Sequence, residues 1–245
     1  MLHTLRQLLL LTSLVLIAGG LWLRDRLPGP EAVLDAALPE PLQESQAEAP
    51  FVVSAGGIDY TVKPLYRYEL RGLVVSRHDT SAWWDVLHRN WWQDHLNVAD
   101  LCVVWGETLK NGAYRAMRYT SGTFTCYFAT DDPEAWRRFR QDQISNNHLL
   151  ATEPAIVERL RAVRPGDQVL VRGALAEYSH GGGFTRGTST RRDDTGNGAC
   201  ETVWVTEARI LRRANVGWRT AVPMGVAGLL VAIALLFVLP PRPID

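Results

Sequence analysis

The chain carries no net charge, because 26 Lys and Arg residues balance 26 Asp and Glu residues. Proteins that bind nucleic acids neutralise phosphates with an excess of basic residues, so this balance predicts no nucleic-acid partner. Lysine is scarce, and Lys63 and Lys110 are its two occurrences. The sequence also has no repeat of fixed period, which excludes solenoids and propellers.

Charge is missing altogether from residues 220–239, a run of twenty residues near the C-terminus. About 20 apolar residues, rising about 1.5 Å each, form a helix that crosses a membrane. Trp218 and Arg219 precede the run, where an aromatic ring and a long cation favour the membrane interface. We therefore predict a transmembrane helix within residues 214–245. Small residues at a spacing that permits close helix packing occur in it, at Ala221/Gly225 and Gly228/Ala232.

A second, shorter apolar run covers residues 8–23 near the N-terminus and lies between two arginines. We interpret residues 1–26 as an uncleaved transmembrane anchor. A cleaved signal peptide is the alternative, because Ala18 and Gly20 provide small residues at a cleavage position.

Arginines beside the two apolar runs give conflicting indications of sidedness. Five of them flank the intervening domain and favour a cytoplasmic location under the positive-inside rule, namely Arg24, Arg26, Arg212, Arg213 and Arg219. Long connecting regions, however, cross the membrane largely regardless of charge. A short basic tail before an apolar run also resembles an export signal. We expect the domain to lie outside the cytoplasm.

The region between the apolar runs divides into a linker and one soluble domain. Residues 27–50 are rich in Pro, Ala and Glu. Proline resists regular structure and few large apolar groups are present to bury, so this segment is predicted to be a linker. Residues 51–213 form the domain, to which we assign a mixed α+β class. Helices are predicted at 81–97, 133–144 and 153–163, and Asp132 is the predicted cap of the second. Apolar and polar residues alternate in strands predicted at 60–64, 65–78, 101–106, 114–119 and 123–129.

Residues 163–179 indicate how the strands are arranged. They combine a Pro-Gly turn with a strand that has Gly173 at its middle, where a strongly curved strand loses its side chain. This pattern is typical of small barrels. We predict a small OB-like β-barrel, or a curved antiparallel sheet, with inserted helices.

Aromatic residues and histidines are concentrated in the predicted helix 81–97. Trp83, Trp84, Trp91 and Trp92 would form an aromatic binding platform. His88 and His95 are two helical turns, roughly 10 Å, apart, so one zinc ion cannot readily bind both. The alternative is an amphipathic helix whose Trp side chains fill the domain core.

A second polar cluster follows in residues 188–201. Asp193, Asp194 and Asn197 are candidate oxygen ligands for a metal ion, although an EF-hand is excluded because its twelfth position holds Trp204. The alternative is a polar turn in which Asp and Asn bond the nearby backbone. Upstream, Arg186 beside three consecutive glycines is a weak candidate for anion binding. Asn197 is a second candidate for ligand binding.

The segment Ser145–His148 lies between two predicted helices. Its sequence, SNNH, is rich in hydrogen-bonding groups. We predict either a loop that contacts a ligand or a turn that ends a helix.

Three cysteines are an odd number, so in an oxidising compartment two would pair and one would remain free. Cys126–Cys200 and Cys102–Cys126 are the two pairings that the predicted strands favour. Cys200 could instead act as a nucleophile with His180 or His148 as base and Asn147 or Asp194 as the orienting group. Buried cysteines with a purely structural role are the alternative.

Three segments resemble a family of uncharacterised bacterial inner-membrane proteins with a Trp-rich extracytoplasmic domain. They are WWDVLHRNWWQDHLNVADLCVVWG, ISNNHLL and RGTSTRRDDTGNGACET. The resemblance covers residues 60–211. It implies a bacterial inner membrane and a periplasmic domain, and it transfers no catalytic residue because the family has no assigned activity.

Together these features favour a membrane-anchored interaction or assembly module without evident catalysis. Its expected partners are the lipid bilayer and a membrane protein. An extracytoplasmic hydrolase that uses the Gly-rich loop 180–201, with His180, Asp194 and Cys200, is one alternative. A ligand or metal sensor is another. No cofactor is implied.

Overall fold

A computed structural model describes residues 2–46, 48–80, 82, 85–191, 194 and 200–238 of the chain, without the Arg89 side chain. The chain divides into two compact units, one formed by Met1–Arg26 with Ala214–Asp245 and the other by Leu27–Arg213. Several residues predicted to contribute to a site lie outside the described residues, namely Trp83, Trp84, Asp193 and Asn197.

The first unit pairs two terminal helices, α1 (Leu2–Leu23) and α5 (Val216–Val238). Both are long and apolar enough to cross a membrane. They pack closely because glycines lie at their contact. A Cβ on Gly20 would lie 2.9 Å from the Trp218 carbonyl oxygen, and one on Gly225 would lie 2.8 Å from that of Ser13. Small residues therefore allow the two backbones to approach.

The second unit is a mixed α+β structure built on a large sheet. Its short helices are α2 (Glu107–Lys110), α3 (Pro133–Arg138) and α4 (Pro154–Ala162). Its strands are β1 (Leu42–Ser45), β2 (Phe51–Ala55), β3 (Ile58–His78), β4 (Asn97–Val104), β5 (Arg118–Gly122), β6 (Thr125–Ala129), β7 (Ile144–Leu150), β8 (Gln168–His180), β9 (Thr185–Arg186) and β10 (Cys200–Arg212). Strands β5 and β6 form a separate hairpin, and the others belong to one sheet.

Five of the strands pair in a closed sequence. Strand β3 pairs with β4, β4 with β7, β7 with β10, β10 with β8, and β8 again with β3. All these pairs are antiparallel except β7–β10, which is parallel. The 21-residue strand β3 makes this possible, because residues 60–73 pair with β8 and residues 73–78 with β4.

Glycine permits the strong curvature that this pairing requires. A Cβ on Gly173 of β8 would lie 1.9 Å from the Trp204 carbonyl oxygen of β10. The prediction that Gly173 marks a place where a curved strand has no room for a side chain is confirmed. Gly72 of β3 is similar, since its Cβ would lie 2.6 Å from the Val104 carbonyl oxygen of β4.

Apolar side chains of these strands form the main core. Ile156 and Leu160 of α4 pack against it, and full burial of one such side chain contributes about 1.5–3 kcal/mol. The strands contribute mainly aliphatic residues, among them Leu70, Val74, Leu101, Val103, Leu149, Val171, Val203 and Val205.

The helix predicted at 81–97 is wrong for most of the residues that the structure describes there. A single π-helical turn, Leu87–Trp91, is present, and β4 already begins at Asn97. Gln93 has a φ of 50°, which a residue inside a right-handed helix does not adopt. Asp94 then accepts a hydrogen bond of 3.2 Å from the Asn97 backbone, which stabilises the turn into β4.

The polar loop predicted at Ser145–His148 is also wrong, because these residues lie in the fully buried strand β7. The helix predicted before them ends at Arg138, six residues early. Polar side chains inside a buried strand hide the apolar pattern from which strands are recognised. Asp132 does cap α3 as predicted, accepting hydrogen bonds of 2.9 and 3.2 Å from the Glu134 and Ala135 backbones.

The segment predicted to be a linker belongs to the second unit in its described part. Strand β1 pairs with β3. Glu40 accepts a hydrogen bond of 2.7 Å from the Trp105 indole, and Leu34 donates one of 2.7 Å to the Gln168 side chain. These partners are 65 and 134 residues away in sequence, and no local pattern reveals them.

Gly173→Ala tests the close approach of β8 and β10. The added methyl group would meet the Trp204 carbonyl oxygen, so the strands must separate. We expect a loss of about 1–3 kcal/mol of unfolding free energy, the usual cost of overpacking. Thermal and urea unfolding of the full chain in detergent would measure it. Gly181→Ala is the control, because its Cβ would meet no described atom within 4 Å. Equal destabilisation by both variants would contradict the strand contact.

Candidate functional site

Polar side chains gather on one face of four neighbouring strands. Successive residues of a strand point to opposite faces, so the strand register decides which side chains share a face. The face opposite the main core carries Ser76 and His78 of β3, Asp100 and Cys102 of β4, Asn146 and His148 of β7, and Cys200 and Thr202 of β10. We call these eight residues the polar face. Most of its residues are buried, although burial of polar groups is costly unless they are hydrogen-bonded.

A chain of hydrogen bonds crosses the centre of the polar face. His148 Nδ1 lies 2.7 Å from Asp100 Oδ1, and His148 Nε2 lies 2.6 Å from Arg186 Nη2. An arginine only donates, so His148 Nε2 must accept and carries no proton. His148 Nδ1 therefore holds the ring proton and donates it to Asp100. The imidazole is neutral and fixed in one tautomer between a carboxylate and a guanidinium.

Asp100 is fully buried, yet its carboxyl group remains charged at the end of this chain of hydrogen bonds. Burial by itself raises the pKa of its carboxyl group. Hydrogen bonds from His148 Nδ1 and, over 2.8 Å, from Asn97 Nδ2 outweigh burial and hold the pKa below its usual value. The second carboxylate oxygen, Oδ2, has no hydrogen-bond partner among the described residues.

The β5–β6 hairpin covers the polar face. A disulfide joins Cys102 of β4 to Cys126 of β6, which is one of the two pairings that the sequence left open. The Ser76 and Ser121 hydroxyl oxygens lie 2.7 Å apart and add a second connection. Phe124, at the turn of the hairpin, has a φ of 55°.

Phe124 contacts the chain of hydrogen bonds directly. The Arg186 guanidinium carbon lies 3.5 Å from the centre of its ring, a distance that allows a cation–π interaction. The ring centres of His88 and His148 are 4.3 and 5.2 Å from that of Phe124. The hairpin thus places an aromatic lid over one arginine and two histidines.

A second polar cluster lies where β3 ends and the π-helical turn begins. His78 Nε2 and His88 Nδ1 each lie 2.6 Å from the same oxygen, Asp85 Oδ2. One ligand atom from each residue lies within 4.8 Å of the others. Burial raises the pKa of Asp85, but hydrogen bonds from the His88 backbone and from His78 outweigh it and hold the pKa below its usual value.

Asn97 connects Asp100 to another buried carboxyl group, Asp94. The Asn97 backbone donates to Asp94 Oδ1, and the Tyr178 hydroxyl donates to Asp94 Oδ2 over 2.6 Å. Burial raises the pKa of Asp94 above its usual value, against the effect of these hydrogen bonds. Asp94 also lines a surface cleft of about 320 Å³, together with residues such as Thr80, His95 and Arg161.

The three residues predicted for a hydrolase have separate partners. His180 accepts from the Gly182 backbone at Nδ1, over 3.0 Å, so its Nε2 donates to the Trp92 carbonyl oxygen over 2.9 Å. Asp194 accepts a hydrogen bond from Ser189. Cys200 Sγ lies 3.8 Å from the Phe124 carbonyl oxygen. Among the described residues, these hydrogen bonds lead from His180, Asp194 and Cys200 to other partners and not to one another.

The remaining predicted residues have different surroundings. Arg186, predicted to bind an anion, donates from Nη2 to His148. Trp92 packs against His88 and Phe124, with ring centres 5.5 and 4.9 Å apart. Trp91 is 76% exposed and available to a partner.

The sequence interpretation missed His78, Asp85 and Asp100. His78 and Asp85 are seven residues apart in the sequence, and only the strand register brings Asp100 opposite His148. One local signal was present in β4, where the charged residue Asp100 interrupts an otherwise apolar run after Asn97.

Comparisons with known proteins give no similarity from which a function could be inferred. No family model matches the chain, and no curated protein or solved structure matches it.

The disulfide leaves Cys200 as the free thiol, and burial raises the pKa of that thiol. The thiolate is the reactive form, so iodoacetamide should modify Cys200 more slowly in the folded chain than in the denatured, non-reduced chain. Peptide mapping should then show Cys102 linked to Cys126. Modification of Cys102 without reduction would contradict this pairing.

Asp94→Asn tests the raised pKa. A carboxyl group whose folded pKa exceeds its unfolded value stabilises the fold while protonated, and this contribution is lost as the pH rises through the folded pKa. As the pH rises above about 3.8, the pKa of this carboxyl group in the unfolded chain, the wild type should lose stability relative to Asp94→Asn. Melting temperatures measured across the pH range would show this loss. Asp131→Asn is the control, because the pKa of this exposed carboxyl is lowered by Arg118. A difference between wild type and Asp94→Asn that stays constant above pH 3.8 would contradict the account.

Proposed function

We propose that the protein is a binding module anchored in the bacterial inner membrane, with an OB-like domain in the periplasm and no catalytic activity. An OB-fold is a five-stranded, partly open barrel that binds ligands on its second and third strands and on two adjoining loops. The closed sequence of pairings among β3, β4, β7, β8 and β10 supports an OB-like arrangement. Strands β4 and β7 are the second and third of these five in chain order.

The ligand-binding region of an OB-fold coincides with the polar face. Asp100 and His148 lie on β4 and β7. The loop between the first and second strands carries Trp91 and Trp92, and the loop between the fourth and fifth carries Arg186 on β9. The loops that contribute to binding in OB-folds therefore carry residues that contact, or lie next to, the polar face.

One observation carries the proposal: the chain of hydrogen bonds from the partly buried Arg186 through His148 to the fully buried Asp100. Such an arrangement is weak evidence for stability, because desolvation of charged groups is costly. Asp100 Oδ2 and Arg186 Nε are buried and have no hydrogen-bond partner among the described residues. Buried polar atoms without partners are rare in native proteins, and a bound ligand would satisfy them.

Exposed tryptophan and balanced charge support a protein partner. Trp91 is 76% exposed, and tryptophan is enriched among the residues that dominate binding energy at protein interfaces. The chain has no net charge with which to attract nucleic acid. Two helices that are long and apolar enough to cross a membrane would confine the domain to the bilayer surface, so we propose a membrane protein as the partner.

The disulfide supports the periplasmic side. Disulfides form and persist in oxidising compartments such as the bacterial periplasm and are rare in the cytosol. Cys102 and Cys126 bridge β4 to the hairpin that covers the polar face. An exported domain would form this bridge and retain Cys200 as a thiol.

Photocrosslinking at Trp91 tests the module in its native membrane. A photoreactive amino acid in place of Trp91 should yield one discrete protein adduct, because the side chain contacts the partner. Mass spectrometry of the purified adduct would identify it. The same substitution at Trp136, which is 45% exposed on α3, is the control and should not yield that adduct. Recovery of the chain as an uncrosslinked monomer from both positions would refute the proposal.

A further inference from the structure

We propose that His78, Asp85 and His88 bind one zinc ion at the edge of the polar face, to which His78 also belongs. Histidine nitrogen and aspartate oxygen are common zinc ligands. Here two imidazole nitrogens converge on one carboxylate oxygen, each at 2.6 Å. Such convergence from a strand end and a separate loop is the arrangement that a metal ion requires of its ligands.

The distances are compatible with one ion. Ligand atoms at about 2.0–2.2 Å from zinc lie roughly 3.3 Å from one another in tetrahedral geometry. The ligand atoms of the three residues already lie within 4.8 Å of each other. Zinc would take the place of the protons shared between the imidazoles and Asp85. Each nitrogen would move away from the Asp85 oxygen, from which it now lies 2.6 Å.

Burial and charge favour a cation at this point. The side chains of Asp85 and His88 are 2% and 0% exposed, while that of His78 is 15% exposed. With neutral imidazoles the cluster carries one negative charge, which a divalent ion would more than balance. His88 also keeps a buried ring nitrogen, Nε2, that has no hydrogen-bond partner among the described residues.

Aromatic rings surround the cluster and strengthen metal binding. The centres of the Trp92 and Phe124 rings lie 5.5 and 4.3 Å from that of His88. Apolar surroundings exclude water and lower the local dielectric constant, which increases the attraction between an ion and a carboxylate. His78, the most exposed of the three ligands, marks the side from which an ion would enter.

The ligand types select the class of metal. Calcium and magnesium prefer oxygen ligands, whereas two of these three ligands are imidazole nitrogens. Imidazole suits zinc and other late transition metals. Three protein ligands also leave a fourth zinc position open for water or a further ligand.

The test uses the full chain in detergent, stripped of metal with a chelator and titrated with Zn²⁺ by calorimetry. We expect one zinc per chain. Asp85→Asn keeps the shape of the side chain but removes its charge. It should weaken zinc binding by at least about 10- to 100-fold, which is the loss caused by mutating a residue that only hydrogen-bonds to a metal ligand. His88→Gln should do the same. Visible absorption of bound Co²⁺ would show a tetrahedral environment in the wild type.

His180→Gln is the matched control, because His180 is a partly buried histidine whose contacts lie outside the cluster. It should retain wild-type affinity. Zinc should also raise the melting temperature of the wild type and not that of Asp85→Asn, as linkage requires.

The proposal is overturned if the wild type binds less than one zinc per chain. It is equally overturned if Asp85→Asn binds like the wild type, or if His180→Gln loses as much affinity. If Asp85→Asn fails to fold, His78→Gln at the partly exposed ligand replaces it. A Trp91 adduct that persists in a zinc-deficient variant would show that the partner-binding function stands separately.

Discussion

The hydrogen bond from Arg186 to His148 is the interaction on which the polar face depends. It fixes the imidazole as a neutral ring that donates to Asp100, a carboxylate at 0% exposure. Without Arg186, His148 Nε2 would lose the donor that fixes this tautomer. The Arg186 guanidinium also stacks on Phe124, so Arg186 contacts the turn of the β5–β6 hairpin that covers the polar face.

The curved sheet makes this interaction possible. Strand β3 pairs with β8 along most of its length and with β4 at its end, and β7 joins β4 to β10. Strands β3, β4, β7 and β10 therefore form one continuous part of the sheet. The aliphatic core lies on one of its faces, and the polar face lies on the other. The disulfide joins the β5–β6 hairpin to the polar face. The His78–Asp85–His88 cluster lies at the edge of the same surface and shares Phe124 with it.

Local patterns in the sequence predicted the parts of the structure that depend on local physics. Uncharged runs predicted the two apolar helices, and the Pro-Gly turn with Gly173 predicted a curved sheet in an α+β unit. The cap at Asp132 follows from a motif of a few residues. The helix over 81–97 failed because spacing of Trp and His matched a helical stripe, while the backbone turns at Gln93. The β7 strand was missed because SNNH is polar, and its burial depends on β4, β10 and the hairpin.

The site was less predictable than the fold because it consists of non-local pairs. His148 and Arg186 were weak candidates individually, and Asp100, 48 residues from His148, was not considered. Nitrogen NMR of histidine-labelled protein, with His148→Gln to assign the signal, tests the central claim most directly. The account predicts that at neutral pH His148 carries its proton on Nδ1 and none on Nε2. A protonated Nε2, in either the imidazolium or the other tautomer, would contradict it.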